Sequence, residues 1–326
     1  MLKQPFSSMW LYSNPRDCRY RPPEPCDIQL LSFDLADYDA LCKLYYDISN
    51  SHASRLYIGR TPCRIQRVQT IAGISFVLRA LKVSPRPLLD LGMPRGVRDI
   101  LLQEEKIQGL ILICGAQRSG KTTMAGSLVW ERISTFGGAA QILEDPPEMD
   151  LDGFYNGGII QQIDVQAAGY SLDPKDRLPV LAADAMRSDT DVLFFGEVRQ
   201  PKDARAVIAM AAVGATVLTT IHSNDLETAI ERLIDLASDG KESDQAAKMV
   251  ANALYAVIHL QLGPKEIHTK DGAKSQQILN VRPCFFVGKF RDGLRGSVRK
   301  QNYAQHINNT AIDQERAIIN GVNILG

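Results

Sequence analysis

Lys121 follows two glycines at fixed offsets and precedes two threonines, so that residues 115–123 read GAQRSGKTT. The spacing is G-x-x-x-x-G-K-[ST], the pattern of a loop that cradles phosphates. Gly115 and Gly120 permit the backbone angles and the close approach that such a loop needs. Lys121 supplies a point charge for the β- and γ-phosphates, and Thr122 a hydroxyl for Mg²⁺. A helix beginning at Lys121 adds its positive end. The candidate nucleotide-binding residues are Gly115, Ala116, Gln117, Arg118, Ser119, Gly120, Lys121, Thr122 and Thr123. Arg118 is unusual inside such a loop and reads as a solvated residue at its tip.

Three further ionisable residues close apolar runs. Glu144, with Asp145, ends AAQILED; Glu197 ends DVLFFGE; His222 ends TVLTTIH. In a parallel sheet, ligands sit beyond the carboxyl ends of the strands. Hydrolysis of a γ-phosphate asks for an acid on the metal side, an acid that orients or deprotonates water, and a polar sensor. Glu197 is assigned to the metal beside Thr122, and Glu144 to the attacking water, with the two roles interchangeable. His222 is assigned to sensing the γ-phosphate. ATP and Mg²⁺ are the expected substrate and cofactor. His52, His259, His268 and His306 have no such setting and read as surface or core residues.

The elements that must position these groups follow from the pattern of the chain. LILIC, AAQILE, DVLFFG and TVLTTI are apolar strands, each followed or preceded by helical spacing, as in KTTMAGSLVWERIS, LPVLAADAMRS and DARAVIAMAAVG. Apolar strands that alternate with helices predict a parallel sheet covered on both faces. DQAAKMVANALYAVIHLQL repeats apolar residues at Met249, Val250, Ala253, Leu254, Val257 and Ile258, which predicts one long core helix. QQILNVRPCFFVGKFRDGLRG reads as hairpin-like strands, and the basic run 289–300 as part of a solvated hairpin or as a dock for an acidic partner.

Upstream, residues 1–27 are rich in proline and predict an extended arm. Residues 28–84 carry helical spacing at Leu41, Leu44, Tyr45 and Ile48, then strand-like alternation from Arg55 with a break at Gly59 to Pro62. They predict a small α/β domain. KVSPRPLLDLGMPRG is the candidate linker, and residues 85–326 form the domain that holds the phosphate loop.

Composition narrows the function classes. The 326 residues carry 37 basic and 37 acidic side chains, which argues against a general nucleic-acid binder. Six cysteines form no C-x-x-C pair, so no zinc site is suggested, and their scatter fits a reducing cytosol. The N-terminus lacks the apolar stretch of a signal peptide. The longest uncharged run, from Ala206 to Ile221, is too short to span a membrane. These features predict a cytoplasmic protein that meets the membrane only through partners.

GAQRSGKTT, ILEDPPE, MRSDTDVLFFGEVRQ and GATVLTTIHSNDLETAIERL resemble, in order and spacing, the Walker A, Asp box, Walker B and His box of the type II/type IV secretion ATPase superfamily. That superfamily includes pilus assembly and retraction motors, and the likeness covers roughly residues 60 to 262. The resemblance implies a RecA-like ATPase domain with a parallel core sheet, preceded by a small PAS-like domain. It also implies a hexameric ring with nucleotide between the domains. The ring would do mechanical work for a type IV pilus, secretion or conjugation machine at an inner-membrane platform protein. Arginine fingers from the first domain match Arg64, Arg67 and Arg79; Arg187 and Arg199 flank the Walker B strand. The acidic box departs from the family in its continuation PPEMDLDGFYNGG, Ala183 stands where a second arginine is expected, and the tetracysteine insertion is missing. Other readings are a P-loop ATPase that moves a different polymer such as DNA, and a regulatory nucleotide-binding ring subunit.

Overall fold

Met9 and Leu11 are fully buried while Ser8 and Trp10 are partly exposed, and this alternation outweighs the prolines around it. A strand with one buried face forms wherever that burial offsets the loss of chain freedom. In the computed structural model β1 (Ser8–Leu11) and β2 (Arg19–Arg21) therefore pair, and residues 8–21 are not the extended arm that their prolines suggest. The structure describes all residues except 1–4, 23–26, 32–34, 52, 82–83, 104–106, 170, 241–242, 270–271 and 326, and no side chains at 35–36 and 264–277. Cys26, His52, Lys82, Val83 and the side chain of His268 lie outside the described residues.

The chain divides into two units. The first comprises residues 1–84 together with Glu144–Asp150 and Gln162–Arg177. After β2 come β3 (Gln29–Leu30), α1 (Leu35–Ser49), β4 (Arg55–Ile58), β5 (Thr61–Thr70) and β6 (Gly73–Ala80). They form an antiparallel sheet of order β3-β2-β1-β6-β5-β4. Leu41 and Ile48 of α1 share one core with Met9, Leu11, Phe76 and Leu78, and the Tyr45 hydroxyl donates to the Ile74 carbonyl at 2.9 Å.

The second unit opens with α2 (Arg95–Leu101), β7 (Gly109–Gly115), α3 (Lys121–Phe136) and β8 (Gly138–Glu144). A hairpin of β9 (Gly153–Tyr155) and β10 (Gly158–Asp164) follows, then α4 (Val165–Ala168) and α5 (Arg177–Met186); Glu144 at the end of β8, β10 from Gln162, α4 and Arg177 lie in the first unit. The chain continues through β11 (Val192–Glu197), α6 (Pro201–Ala212), β12 (Thr216–His222), α7 (Leu226–Ser238), α8 (Ser243–Ala253), β13 (Leu254–Thr269) and β14 (Gly272–Phe285). It closes with α9 (Arg291–Arg299) and α10 (Ala304–Ile319). The sheet order is β14-β13-β7-β12-β11-β8-β10-β9, and β13, β7, β12, β11 and β8 run parallel. Every residue of β7 is buried, as a central strand covered on both faces requires.

Two expectations are corrected here. The long core helix stops at Ala253, and Leu254 starts β13 beside β7. A continuous apolar run does not separate helix from strand by period alone; the Tyr255, Val257 and Ile258 side chains suit a strand buried on both faces. Residues 291–299 are helix α9 rather than part of a hairpin: Leu294 and Val298, four apart, are both buried. The hairpin itself is β13–β14 and ends at Phe285.

Helix α10 is tied to the end of β14 by one amide. Gln314 is fully buried, accepts from the Phe285 N–H and donates to the Phe285 carbonyl, both at 2.7 Å. Gln314→Ala leaves that donor and acceptor buried and unpaired, at a cost of about 2–4 kcal/mol. The expected result is a lower urea midpoint at unchanged slope; an unchanged midpoint contradicts the assignment.

Candidate functional site

Parallel pairing decides which strand ends meet. In register, His222 of β12 lies opposite Gly115 of β7, and Glu197 of β11 lies opposite Thr220 of β12. The carboxyl ends of β7, β12, β11 and β8 are thus four neighbours in one sheet. Within the second unit, the phosphate loop, His222 and Glu197 thereby share one edge.

The loop has the backbone its glycines predict. Gly115 holds φ at 155°, and a Cβ there would collide with the Leu260 carbonyl and the Ser119 hydroxyl. Gly120 caps α3 in the left-handed region at φ 89°. Arg118 also takes positive φ, at 64°, and is exposed, as a tip residue should be. Ser119 Oγ is buried and has no hydrogen-bond partner among the described residues. A shaped backbone, a helix N-terminus and an unmatched hydroxyl turned inward are what a polyphosphate would use.

Lys121 is buried, and its ammonium donates to the carbonyls of Gly115 at 3.1 Å and Ala116 at 2.7 Å. It lies 3.4 Å from His222 Nδ1. An ammonium only donates, so the imidazole accepts at Nδ1 and donates from Nε2. Nε2 indeed lies 3.0 Å from Glu197 Oε1. Lysine, imidazole and carboxylate from three adjacent strand ends form one chain of polar contacts.

Glu197 owes its direction to an irregularity. The register of β11 on β12 shifts between Phe195 and Glu197, and Thr220 Oγ1 donates to the Gly196 carbonyl at 2.8 Å. A regular strand would put Glu197 on the face of Phe195; the extra residue turns it to the other. Its second oxygen accepts from Arg199 Nε at 2.7 Å. The buried Asp203 carboxylate holds the loop between, accepting from the backbone N–H of Arg199 at 3.1 Å and of Gln200 at 3.2 Å. Arg199 thus reaches Glu197, whereas Arg187 makes an exposed pair with Asp184.

Glu144 is buried and accepts from Gln162 Nε2 at 2.7 Å. Burial pushes its carboxyl up to about 7, with the charge of Glu148 acting in the same direction and the Gln162 hydrogen bond and Arg55 opposing. Such a group changes protonation near neutrality, as a general base requires.

The three arginines matched to fingers do not share one face. Arg64 lies directly opposite Arg79, and Arg67 opposite Phe76. Side chains alternate along a strand, so Arg64 and Arg79 occupy one face of the small sheet and Arg67 the other. Three polar residues escaped the motifs altogether: Arg55 and Gln162 lie behind Glu144, and Asp203 supports the loop beside Glu197. Arg199, which the sequence places just after the Walker B strand, is the partner of Glu197. A cleft of about 430 Å³ adjoins the loop, lined by Gln117, Arg118, Asn224, His259, Gln261 and Leu262. His259, read as a surface or core residue, therefore borders the site.

The profile of the family described as Type II/IV secretion system protein matches residues 54–308, a longer stretch than the motifs delimit. The type II secretion system protein HxcR of Pseudomonas aeruginosa is 33 % identical over 178 residues, covering 53 % of this chain and 35 % of HxcR. YggR of Escherichia coli is 32 % identical over 200 residues, covering 61 % of this chain and 57 % of YggR. The matched stretch thus spans between about a third and three fifths of these relatives. Among solved structures, the pilus retraction motor PilT with bound ADP superposes with a TM-score of 0.67 at 20 % identity, over 95 % of this chain and 89 % of that one. That likeness shows the fold, an α/β architecture with a RecA-like core and a smaller unit N-terminal to it in the chain. With the family profile covering well over half of its residues, this chain belongs to the type II/IV secretion system protein family.

Proposed function

We propose that the chain binds ATP with Mg²⁺ and hydrolyses it as one subunit of a hexameric motor. The motor would serve a type IV pilus, secretion or conjugation machine from the cytoplasmic side of an inner-membrane platform protein. The observation that carries the reading is the contact chain from Lys121 through His222 to Glu197 at the mouth of the phosphate loop. Family membership supports the motor role. Among the described residues no helix is long and apolar enough to cross a membrane, which fits attachment through partners.

The residues divide the work by chemistry. Backbone N–H groups of residues 115–121 and the N-terminus of α3 receive the phosphates, with Ser119 Oγ as a further donor. Lys121 exchanges its carbonyl partners for phosphate oxygens, which as anions bind an ammonium more strongly. His222 Nε2–H is held by Glu197, and its Nδ1 reports whether Lys121 is engaged. Thr122 and Glu197 would hold Mg²⁺, which neutralises charge on the transferring phosphoryl group. A hydroxyl and one carboxylate suit a hard cation that keeps most of its waters. Glu144 takes a proton from the attacking water. The cleft beside Asn224, His259 and Gln261 has room for the nucleoside.

Lys121→Ala should reduce ATP turnover to background, read as phosphate release; turnover at the parent rate contradicts the site. Glu197→Gln should retain nucleotide and lose turnover by about 10²–10⁴-fold. Turnover of the parent should also rise as pH passes about 7, because Glu144 accepts a proton only once ionised. Glu144→Gln should remove that limb and most of the rate; a limb that persists in this variant belongs to another group. The linkage to stability has the opposite sign. The folded state holds this proton more tightly than the unfolded one, so the contribution of Glu144 to stability falls as pH rises from 4.5 to about 7.

A further inference from the structure

Gln162 can turn its amide either way, and only one way suits Glu144. With the NH₂ group toward the carboxylate it donates; with the oxygen there, two negative ends face each other. Gln162 Oε1 accepts from Arg55 Nη1 at 2.9 Å, while Gln162 Nε2 donates to Glu144 Oε2 at 2.7 Å. A guanidinium carries donors only, so its presence requires the amide oxygen on its own side and the NH₂ on the side of Glu144.

Arg55 is itself fixed by more contacts than charge neutrality needs. Nη1 also donates to the Met149 carbonyl at 3.1 Å, and Nη2 donates to the Tyr57 hydroxyl at 3.0 Å and to Asp150 Oδ1. Tyr57 closes the ring by donating to Asp150 Oδ1 at 2.7 Å, and its aromatic face lies 5.3 Å from the guanidinium carbon. The side chain of Arg55 is only 13 % exposed. One residue earlier, the backbone N–H and hydroxyl of Ser54 donate to Asp164 Oδ2 at 2.9 and 2.6 Å, two residues beyond Gln162 on β10. All these residues belong to the first unit of the chain. Met149 and Asp150 come from the stretch where the acidic box departs from its family, so the departure supplies the anchors of Arg55.

We infer that Arg55 is a positioning residue for hydrolysis: through Gln162 it orients the Glu144 carboxylate toward the attacking water. The inference rests on the reading of Glu144 as the base. The charged groups around Glu144 work in pairs. Glu148 disfavours its ionised form and Arg55 favours it, while Asp150, bridged to Tyr57, holds Arg55 in place. Without the relay, Glu144 keeps its burial, its repulsion from the Glu148 charge and its backbone donor at Glu148, but loses the side-chain donor that favours the carboxylate.

The test uses the full chain and ATP hydrolysis followed against pH. Gln162→Met and Arg55→Met should each lower kcat at pH 7 by about tenfold, a part of what a general base supplies. KM for ATP should stay within about twofold, since binding energy elsewhere is untouched. The rising limb of kcat should move to higher pH, and the rate should recover on the alkaline side. Because both act through one oxygen, the double variant should be no slower than the worse single variant. Arg55→Lys, which keeps the charge, should restore part of the rate. A limb that stays where it is, a loss equal at every pH, or losses that multiply in the double variant overturn the inference. Glu144→Gln separates this failure from failure of the base itself: full activity there removes the base, whereas loss there with an unmoved limb in Gln162→Met removes only the relay.

Discussion

The site depends on one contact, between the Lys121 ammonium and His222 Nδ1, and that contact depends on register. β12 runs parallel to β7 with His222 opposite Gly115, so the histidine arrives where the phosphate loop begins. A slip of one residue would turn the imidazole to the other face of the sheet. Burial of every residue of β7 makes such a slip expensive, because it would exchange neighbours along both faces of a central strand. The apolar core therefore serves the chemistry directly by fixing which polar groups end side by side.

Around that contact, the charges are arranged to hold one another. Lys121 satisfies its donors on loop carbonyls, His222 links it to Glu197, and Glu197 takes Arg199 on its other oxygen. Behind Arg199, the buried Asp203 secures the loop through two backbone N–H groups. Glu144, which belongs to the first unit, is held differently. It is buried and faces the charge of Glu148, so its environment resists ionisation despite the hydrogen bonds from Gln162 and the Glu148 backbone.

Much of this was legible in the amino-acid sequence because both signals are local. The phosphate loop is defined by glycine offsets, and each strand end by an apolar run stopping on an ionisable residue. Adjacent parallel strands then put Lys121, His222 and Glu197 together without further information. Arg55 and Gln162 were not legible, since they lie on strands 107 residues apart and are joined only by the fold. The bulge at Gly196 was hidden as well, because a single glycine before Glu197 looks like an ordinary strand end. The reading of residues 244–262 as one helix failed for a different reason: apolar residues on every side of the run erase the period that distinguishes helix from strand. The finger candidates show the limit of matching by position, as the antiparallel register separates Arg67 from Arg64 and Arg79.

The central claim is that the last phosphate of bound ATP replaces the loop carbonyls as the partner of Lys121, within reach of His222 and Glu197. A crystal structure with Mg²⁺ and a non-hydrolysable ATP analogue measures this most directly. The account predicts the γ-phosphate within hydrogen-bond distance of Lys121 Nζ, with His222 and Glu197 lining its outer side. A triphosphate bound elsewhere, with Lys121 still donating to the carbonyls of Gly115 and Ala116, would contradict it.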